Sequence, residues 1–478
     1  MDDDKKAAKP SMGPLKTRPF ERNLAMTRMG VSAGARIAAH EFANLFRGRD
    51  SRTVSDRDFY VRQAHKLADE LGRLKGSVMK VGQMLSLYGQ YFLPPEAVEV
   101  LAGLQDDTPP VEWKSLEPVL KRGLGRSLKE LEIDPVALAS ASLGQVHRAR
   151  RKADGAELVL KIQYPGVADA IDSDIRTLSR LIAMTRLAPA GLNLDPVYAE
   201  VKEMLHREVD YLAEIDHTQR YRQLIENDGR YVVPKVYEEY SSDQVLALSY
   251  EPGAHVRDVA VQALPQERRN ALANAALELF LRELFDWGMV QTDPHFGHYR
   301  IRVAPGQINP INPINPGQTT INEGENRGLS RIVSDRIVLL DFGATRLFGR
   351  GFVQNYREML HGAVVRDRAE VLRGAEGIGA MHADFPESVH TAFAELCELI
   401  VEPFRGGEYD WGGSDLPRRV GEKIARNALT RYFRIPPREI VFLHRRLAGV
   451  FFLLAALGAK WDGRPVLRRH LEPKTPQV

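Results

Sequence analysis

Cysteine is nearly absent from these 478 residues: Cys397 stands alone. That excludes an internal disulfide and a thiolate-built metal centre, and it fits a reducing compartment. A surplus of one charge sign is missing too. Lys and Arg exceed Asp and Glu by +3, so no global field draws the chain to nucleic acid. Long apolar runs are also lacking. The longest, Leu447 to Ala459, covers 13 residues against the roughly 20 that a membrane-crossing helix needs, and it reads as a buried core helix. The opening MDDDKK has neither the basic-then-apolar order of a secretory signal nor the acid-poor character of a transit peptide. A cytoplasmic protein is expected, with no signal peptide and no transmembrane helix. The 44% hydrophobic and 27% charged fractions exclude pervasive disorder and fibrous repeats.

Along the chain, residues 1–55 read as a poorly ordered lead-in containing one helix. Residues 56–130 carry apolar positions at three- and four-residue spacing, a helical pattern punctuated by Pro94, Pro95, Pro109 and Pro110. From Ala141 to Ile162 a small-residue loop precedes two strand-like runs around Ala153-Asp154-Gly155, a hairpin signal. A helical stretch from Asp169 to Gln223 follows, then short strands near Tyr231–Val236 and Val245–Tyr250, then mostly helix. Mixed strands and helix first, helix afterwards, gives an α+β, two-lobed reading: an N-lobe over 131–252 and a mostly helical C-lobe over 253–470. Residues 303–330 contain repeated Asn-Pro dipeptides, which continue neither a helix nor a central strand. They read as a mobile inserted loop between strands at Tyr299–Val303 and Arg336–Leu340.

The chemistry concentrates in three places. Ile337-Val338-Leu339-Leu340-Asp341-Phe342-Gly343 delivers a carboxylate to the end of a buried strand, with Gly to turn the chain. Val159-Leu160-Lys161-Ile162 sets one lysine in an apolar strand, costly unless an anion meets it; a solvent-facing edge lysine is the bland alternative. Asp293-Pro294-His295-Phe296-Gly297-His298 has the spacing of a kinase catalytic loop, a carboxylate five residues before a metal-holding position. Lys161, Asp293 and Asp341 thus stand in the order of a phosphoryl-transfer site.

With these residues in hand, the chain resembles the UbiB/ADCK family of atypical kinases, whose members support ubiquinone (coenzyme Q) biosynthesis. The resemblance runs from about Lys75 to Leu457. It includes Met79-Lys80-Val81-Gly82-Gln83 (the family's Lys-x-Gly-Gln motif), Leu93-Pro94-Pro95-Glu96 and Leu104-Gln105-Asp106. It also includes Ala139-Ser140-Ala141-Ser142 as the Ala-rich nucleotide loop, Glu208-Val209-Asp210 with Glu214, Gln291-Thr292-Asp293-Pro294 and Asp341-Phe342-Gly343-Ala344. It implies a protein-kinase-like fold with an N-terminal helical extension over 56–130. It further implies Lys161 paired with Glu214 toward ATP phosphates, Lys80 paired with Glu208 over the site mouth, and Asp341 holding Mg²⁺. Backbone groups near Tyr250 would meet adenine, and a lipid or quinone precursor, a peripheral membrane surface and ubiquinone-biosynthesis proteins would be the partners. An extension over the mouth argues against bulky protein substrates.

Two departures matter. His298 stands where the family has Asn, and imidazole suits softer ions, so Mn²⁺ is the alternative to Mg²⁺ and turnover is expected to weaken. Ser140 interrupts the alanines. His295 reads as structural, and His444, Arg445 and Arg446 as the start of an amphipathic C-terminal helix. The leading reading is an ATPase; the rivals are a nucleotide-binding pseudokinase scaffold and a lipid or small-molecule kinase.

Overall fold

The computed structural model describes residues 110–140, 143–185, 194–293, 295–305, 334–428 and 436–472. The lead-in, the Lys-x-Gly-Gln motif and most of the Asn-Pro insertion lie outside these residues.

Helix α1 (Trp113–Leu124) opens the described fold and leads to a sheet ordered β1 (Leu131–Ser140), β2 (Gly144–Arg151), β3 (Glu157–Gln163), β5 (Val245–Ser249), all antiparallel. Alternation sorts the residues of β3 between the two faces. Leu158, Leu160 and Ile162 are fully buried against Leu116 and Leu120 of α1, so the intervening Lys161 must emerge on the other face. Because β3 lies between β2 and β5, the edge-strand alternative for Lys161 is excluded. The β2–β3 turn closes through the amide of Gly155, which donates to the Arg151 carbonyl at 2.8 Å. Gly155 has φ +73°, where a side chain would be strained.

The helical stretch expected from Asp169 to Gln223 consists of three helices: α2 (Val167–Thr185), α3 (Asp195–Glu208) and α4 (Tyr211–Leu224). The last break is made by Asp210, whose side chain accepts from the Ala213 amide and caps α4. The strand expected over Tyr231–Val236 shortens to β4 (Tyr231–Val232), with Val236 making only an isolated bridge to Leu248. Pro234 explains the interruption, since it has no N–H to give to a ladder.

The remaining elements form the helical half. Helix α5 (Gln266–Arg282) runs through its core, followed by a π turn over Glu283–Trp287 and by β6 (Met289–Gln291). Strands β7 (Tyr299–Arg302) and β8 (Arg336–Leu339) pair antiparallel on either side of the insertion, and β4 adds parallel to β8. β9 (Thr345–Leu347) pairs with β6. Helices α6 (Arg350–Val365), α7 (Arg368–Gly377), α8 (Glu387–Ile400), α9 (Leu416–Ala428), α10 (Arg438–Ala456) and α11 (Arg464–Leu471) complete it, with a small pair of β10 (Tyr409–Asp410) and β11 (Lys460–Trp461). Among the described residues no helix is long and apolar enough to cross a membrane. The apolar run that begins at Leu447 falls within α10 up to Ala456, with Val450, Leu453 and Leu454 in the main core.

Candidate functional site

The face of β3 opposite the core meets α4 and the end of β8 in a cleft of about 440 Å³, bordered by Ser140, Val159, Lys161, Leu248, Asp293 and Asp341. Lys161 Nζ donates to both oxygens of Glu214, at 2.9 and 2.8 Å, and to Asp341 Oδ2 at 3.2 Å. One ammonium therefore joins two carboxylates. Burial opposes its charge, but Asp341 and Glu214 outweigh that and hold Lys161 well above the ordinary lysine value. For Glu214 burial prevails over the lysine and pushes the carboxyl up to about 7. Asp341 goes the other way. Burial would raise it, but the charges of Lys161 and His298 and the Gly343 amide hold it below the usual carboxylate range. That amide donates to Asp341 Oδ1 at 2.9 Å. A Cβ at Gly343 would stand 3.2 Å from Glu214 Oε2, so glycine keeps the turn clear of the ion cluster.

Gln291, named above as part of the Gln291-Thr292-Asp293-Pro294 motif but given no role there, stitches the opposite wall together. Its side chain donates to the Asp341 carbonyl at 3.2 Å and accepts from the Asp293 amide at 2.5 Å. Leu340 donates to the His298 carbonyl at 2.9 Å, and Thr292 Oγ1 to the Ala344 carbonyl at 2.8 Å. The loop thus holds His298 Nε2 3.9 Å from Asp293 Oδ2 and 4.0 Å from Asp341 Oδ2, beyond direct hydrogen bonding. His295 Nδ1 accepts from the Gly297 amide at 3.0 Å and shapes the turn.

His444, Arg445 and Arg446 require a correction. Helix α10 begins at Arg438, so they lie well inside it. Arg445 Nη2 donates to Asp293 Oδ1 at 3.0 Å. Arg446 is buried and pairs with Glu283 at 3.0 Å, a carboxylate that also accepts from the Tyr221 hydroxyl at 3.0 Å. A histidine and two arginines interrupting an apolar helix were the available signal.

Of the other expected residues, Ala139 and Glu208 border the cleft. Ser140 Oγ lies 3.0 Å from the Tyr164 hydroxyl, and Asp210 is the α4 cap. The Tyr250 amide donates to the Glu157 carbonyl at 3.1 Å, and its hydroxyl accepts from Arg148 at 2.7 Å. Its own N–H is therefore committed within the sheet. Lys80, Gln83, Ala141 and Ser142 lie outside the described residues. Among the described residues no group of three or more His, Cys, Asp or Glu is arranged to hold a metal by itself. Two carboxylates facing one another across an imidazole still fit a hard divalent cation that arrives with phosphate and water as its other ligands.

An antiparallel sheet whose central lysine meets a helical glutamate, above a helical half carrying two cleft aspartates, is a protein-kinase-like arrangement. The chain belongs to the ABC1 atypical kinase-like family, whose domain model matches residues 103–375; this is the UbiB/ADCK resemblance read from the sequence. It is 30% identical over 399 residues to the atypical kinase COQ8, mitochondrial, of Saccharomyces cerevisiae, covering 82% of this chain and 73% of that protein. It is likewise 30% identical over 399 residues to the atypical kinase COQ8B, mitochondrial, of Rattus norvegicus, covering 83% and 69%. A solved complex of Rv3197 with erythromycin from Mycobacterium tuberculosis has the same fold, with a TM-score of 0.56 at 23% identity, covering 89% of this chain and all of that one.

Proposed function

We propose that the protein is a kinase-fold ATPase that binds ATP with a divalent cation, Mg²⁺ or Mn²⁺, and supports ubiquinone biosynthesis by acting on or presenting lipid quinone intermediates. The single observation that carries this reading is the Lys161–Glu214–Asp341 cluster facing Asp293 across one cleft. Lys161, held by Glu214, presents its ammonium to the nucleotide phosphates. Asp341, ionised, holds the cation, and Asp293, anchored by Arg445 and Gln291, orients the attacking water or hydroxyl. When bound, the cation would neutralise charge on the transferring phosphoryl group. His298 fills the place of a second metal ligand with a nitrogen donor, which weakens selectivity for Mg²⁺.

One observation favours a second reading, a pseudokinase scaffold: Asp293 is already engaged by the Arg445 guanidinium, so its carboxylate is less free to take a proton. Nucleotide binding and phosphate release by the purified chain, repeated with Asp341→Asn, decide between them. The ATPase reading expects cation-dependent binding and slow phosphate release, both lost in the variant. Binding without release would leave the scaffold. No nucleotide binding at millimolar Mg²⁺ or Mn²⁺ would sink both.

A further inference from the structure

Among the described residues four arginines border the cleft: Arg207, Arg300, Arg346 and Arg445. Three are matched by a carboxylate, Arg207 by Glu203, Arg346 by Glu200 and Arg445 by Asp293. Arg300 differs. Its Nη1 donates to the carbonyls of Gly297 and Tyr299, at 3.0 and 2.9 Å, and among the described residues no carboxylate pairs with it. Glu251, which also borders the cleft, is spent on Arg302 at 2.6 Å and on the Ser249 hydroxyl at 2.7 Å. Burial holds Arg300 below the value of a free arginine, as expected of a cation that leaves water without gaining a counter-ion. The fold aims this side chain. Tyr299 and Ile301 are buried in the helical core, so alternation along β7 turns Arg300 the other way, into the cleft. A Cβ at Gly253 would stand 2.7 Å from the Arg300 Cβ, so glycine lets the connection leaving β5 run directly against it. Arg300 is registered with Val338, three residues before Asp341, a step of about 10 Å along an extended chain. The opposite wall belongs to the sheet. Val146 is registered with Lys161 and Leu248 with Val159, so these three apolar residues share the lysine's face, and all border the cleft. One cavity therefore has an apolar wall from the sheet and an unpaired guanidinium from the helical half.

We propose that Arg300 determines which base the nucleotide site accepts: the base lies between the guanidinium plane and the side chains of Val146 and Val159, and purines are favoured over pyrimidines. The assignment rests on the nucleotide reading given above and names the group that selects the base. A flat ring with a negative face satisfies both sides at once, being apolar enough for the sheet and attractive to a cation. A phosphate would satisfy the arginine and leave the apolar wall uncovered. An alkyl chain would cover the wall and leave the arginine unpaired. The step of about 10 Å from Asp341 suits a base whose phosphates reach Lys161. Purines gain more than pyrimidines because the larger π surface covers more of the guanidinium.

Calorimetry on the full chain with Mg²⁺, comparing ATP, UTP and tripolyphosphate, tests this. The unchanged chain should prefer ATP to UTP. Arg300→Met should weaken ATP about tenfold and UTP by less than about threefold, with tripolyphosphate binding and the thermal melt retained. Arg300→Gln should close the same gap, and it decides the matter should the methionine variant fail to fold. Equal affinity of the unchanged chain for ATP and UTP, or a preference that survives both substitutions, would overturn the assignment. So would losses shared equally by tripolyphosphate, which would put the arginine at the phosphates instead of the base. Absence of any ATP binding by the unchanged chain is a different failure: it removes the function proposed above, and this assignment with it.

Discussion

Arg446 and Glu283 are both buried, and their pairing with Tyr221 and Tyr299 ties α10 to the turn that precedes β6. Replacing Arg446 by Leu leaves a carboxylate in the core with a tyrosine hydroxyl and the Gln291 backbone amide but no cation. Removing one partner of a buried pair typically costs about 3–5 kcal/mol, so Arg446→Leu should lose stability of that size in denaturant unfolding. A loss below 1 kcal/mol would mean that Glu283 simply takes up a proton. At this scale the sequence was unevenly legible. Lys161, Asp293 and Asp341 announce themselves because each sits in a short local pattern. Arg445 does not, because its partner comes from across the fold: the Arg445–Asp293 contact joins residues 152 positions apart, and an arginine on an amphipathic helix looks the same with or without it.

Helices α6 and α7 approach backbone to backbone. A Cβ at Gly374 would stand 2.4 Å from the Met359 amide nitrogen and 2.5 Å from the Asn355 carbonyl oxygen, and neither is a flexible side-chain end. Gly374→Ala should force the helices apart and cost about 1–3 kcal/mol, against the small gain alanine normally brings inside a helix. Equal or greater stability in urea unfolding would show that the crossing is looser than described. Helices and strands with clean periodicity, such as β3, β8 and the apolar part of α10, could be read directly. Boundaries set by one residue could not. Asp210 ends a helical pattern by capping the next helix, and Pro234 cuts a strand short, while periodicity counts both as minor interruptions. The β7–β8 pairing across the insertion was readable because Tyr299–Arg302 alternates apolar and charged residues and Arg336–Leu339 is a mostly apolar run leading to Asp341.

The molecule has two principal cores, one around the antiparallel sheet and one in the helical half, with the cleft between them. Among the described residues, ion pairs, ring contacts and apolar packing connect them. Arg346, just past Asp341, is buried against Glu200 of α3 at 2.7 Å and lies 3.6 Å from the Phe442 ring centre. Arg438 reaches Glu203 at 3.1 Å, and Val441 of α10 joins the sheet core. A ligand gripping Lys161 from one half and Asp341 from the other would add a further link to the existing Lys161–Asp341 contact. A ligand that binds only the folded state stabilises it by about 2.7 kcal/mol at one hundred times its dissociation constant. ATP with Mg²⁺ or Mn²⁺ should therefore raise the melting temperature and merge any separate melting of the two cores into one transition. ATP without the cation should do less, and Asp341→Asn should abolish the difference. An identical shift in that variant would place the nucleotide somewhere other than between Lys161 and Asp341, however well those groups converge.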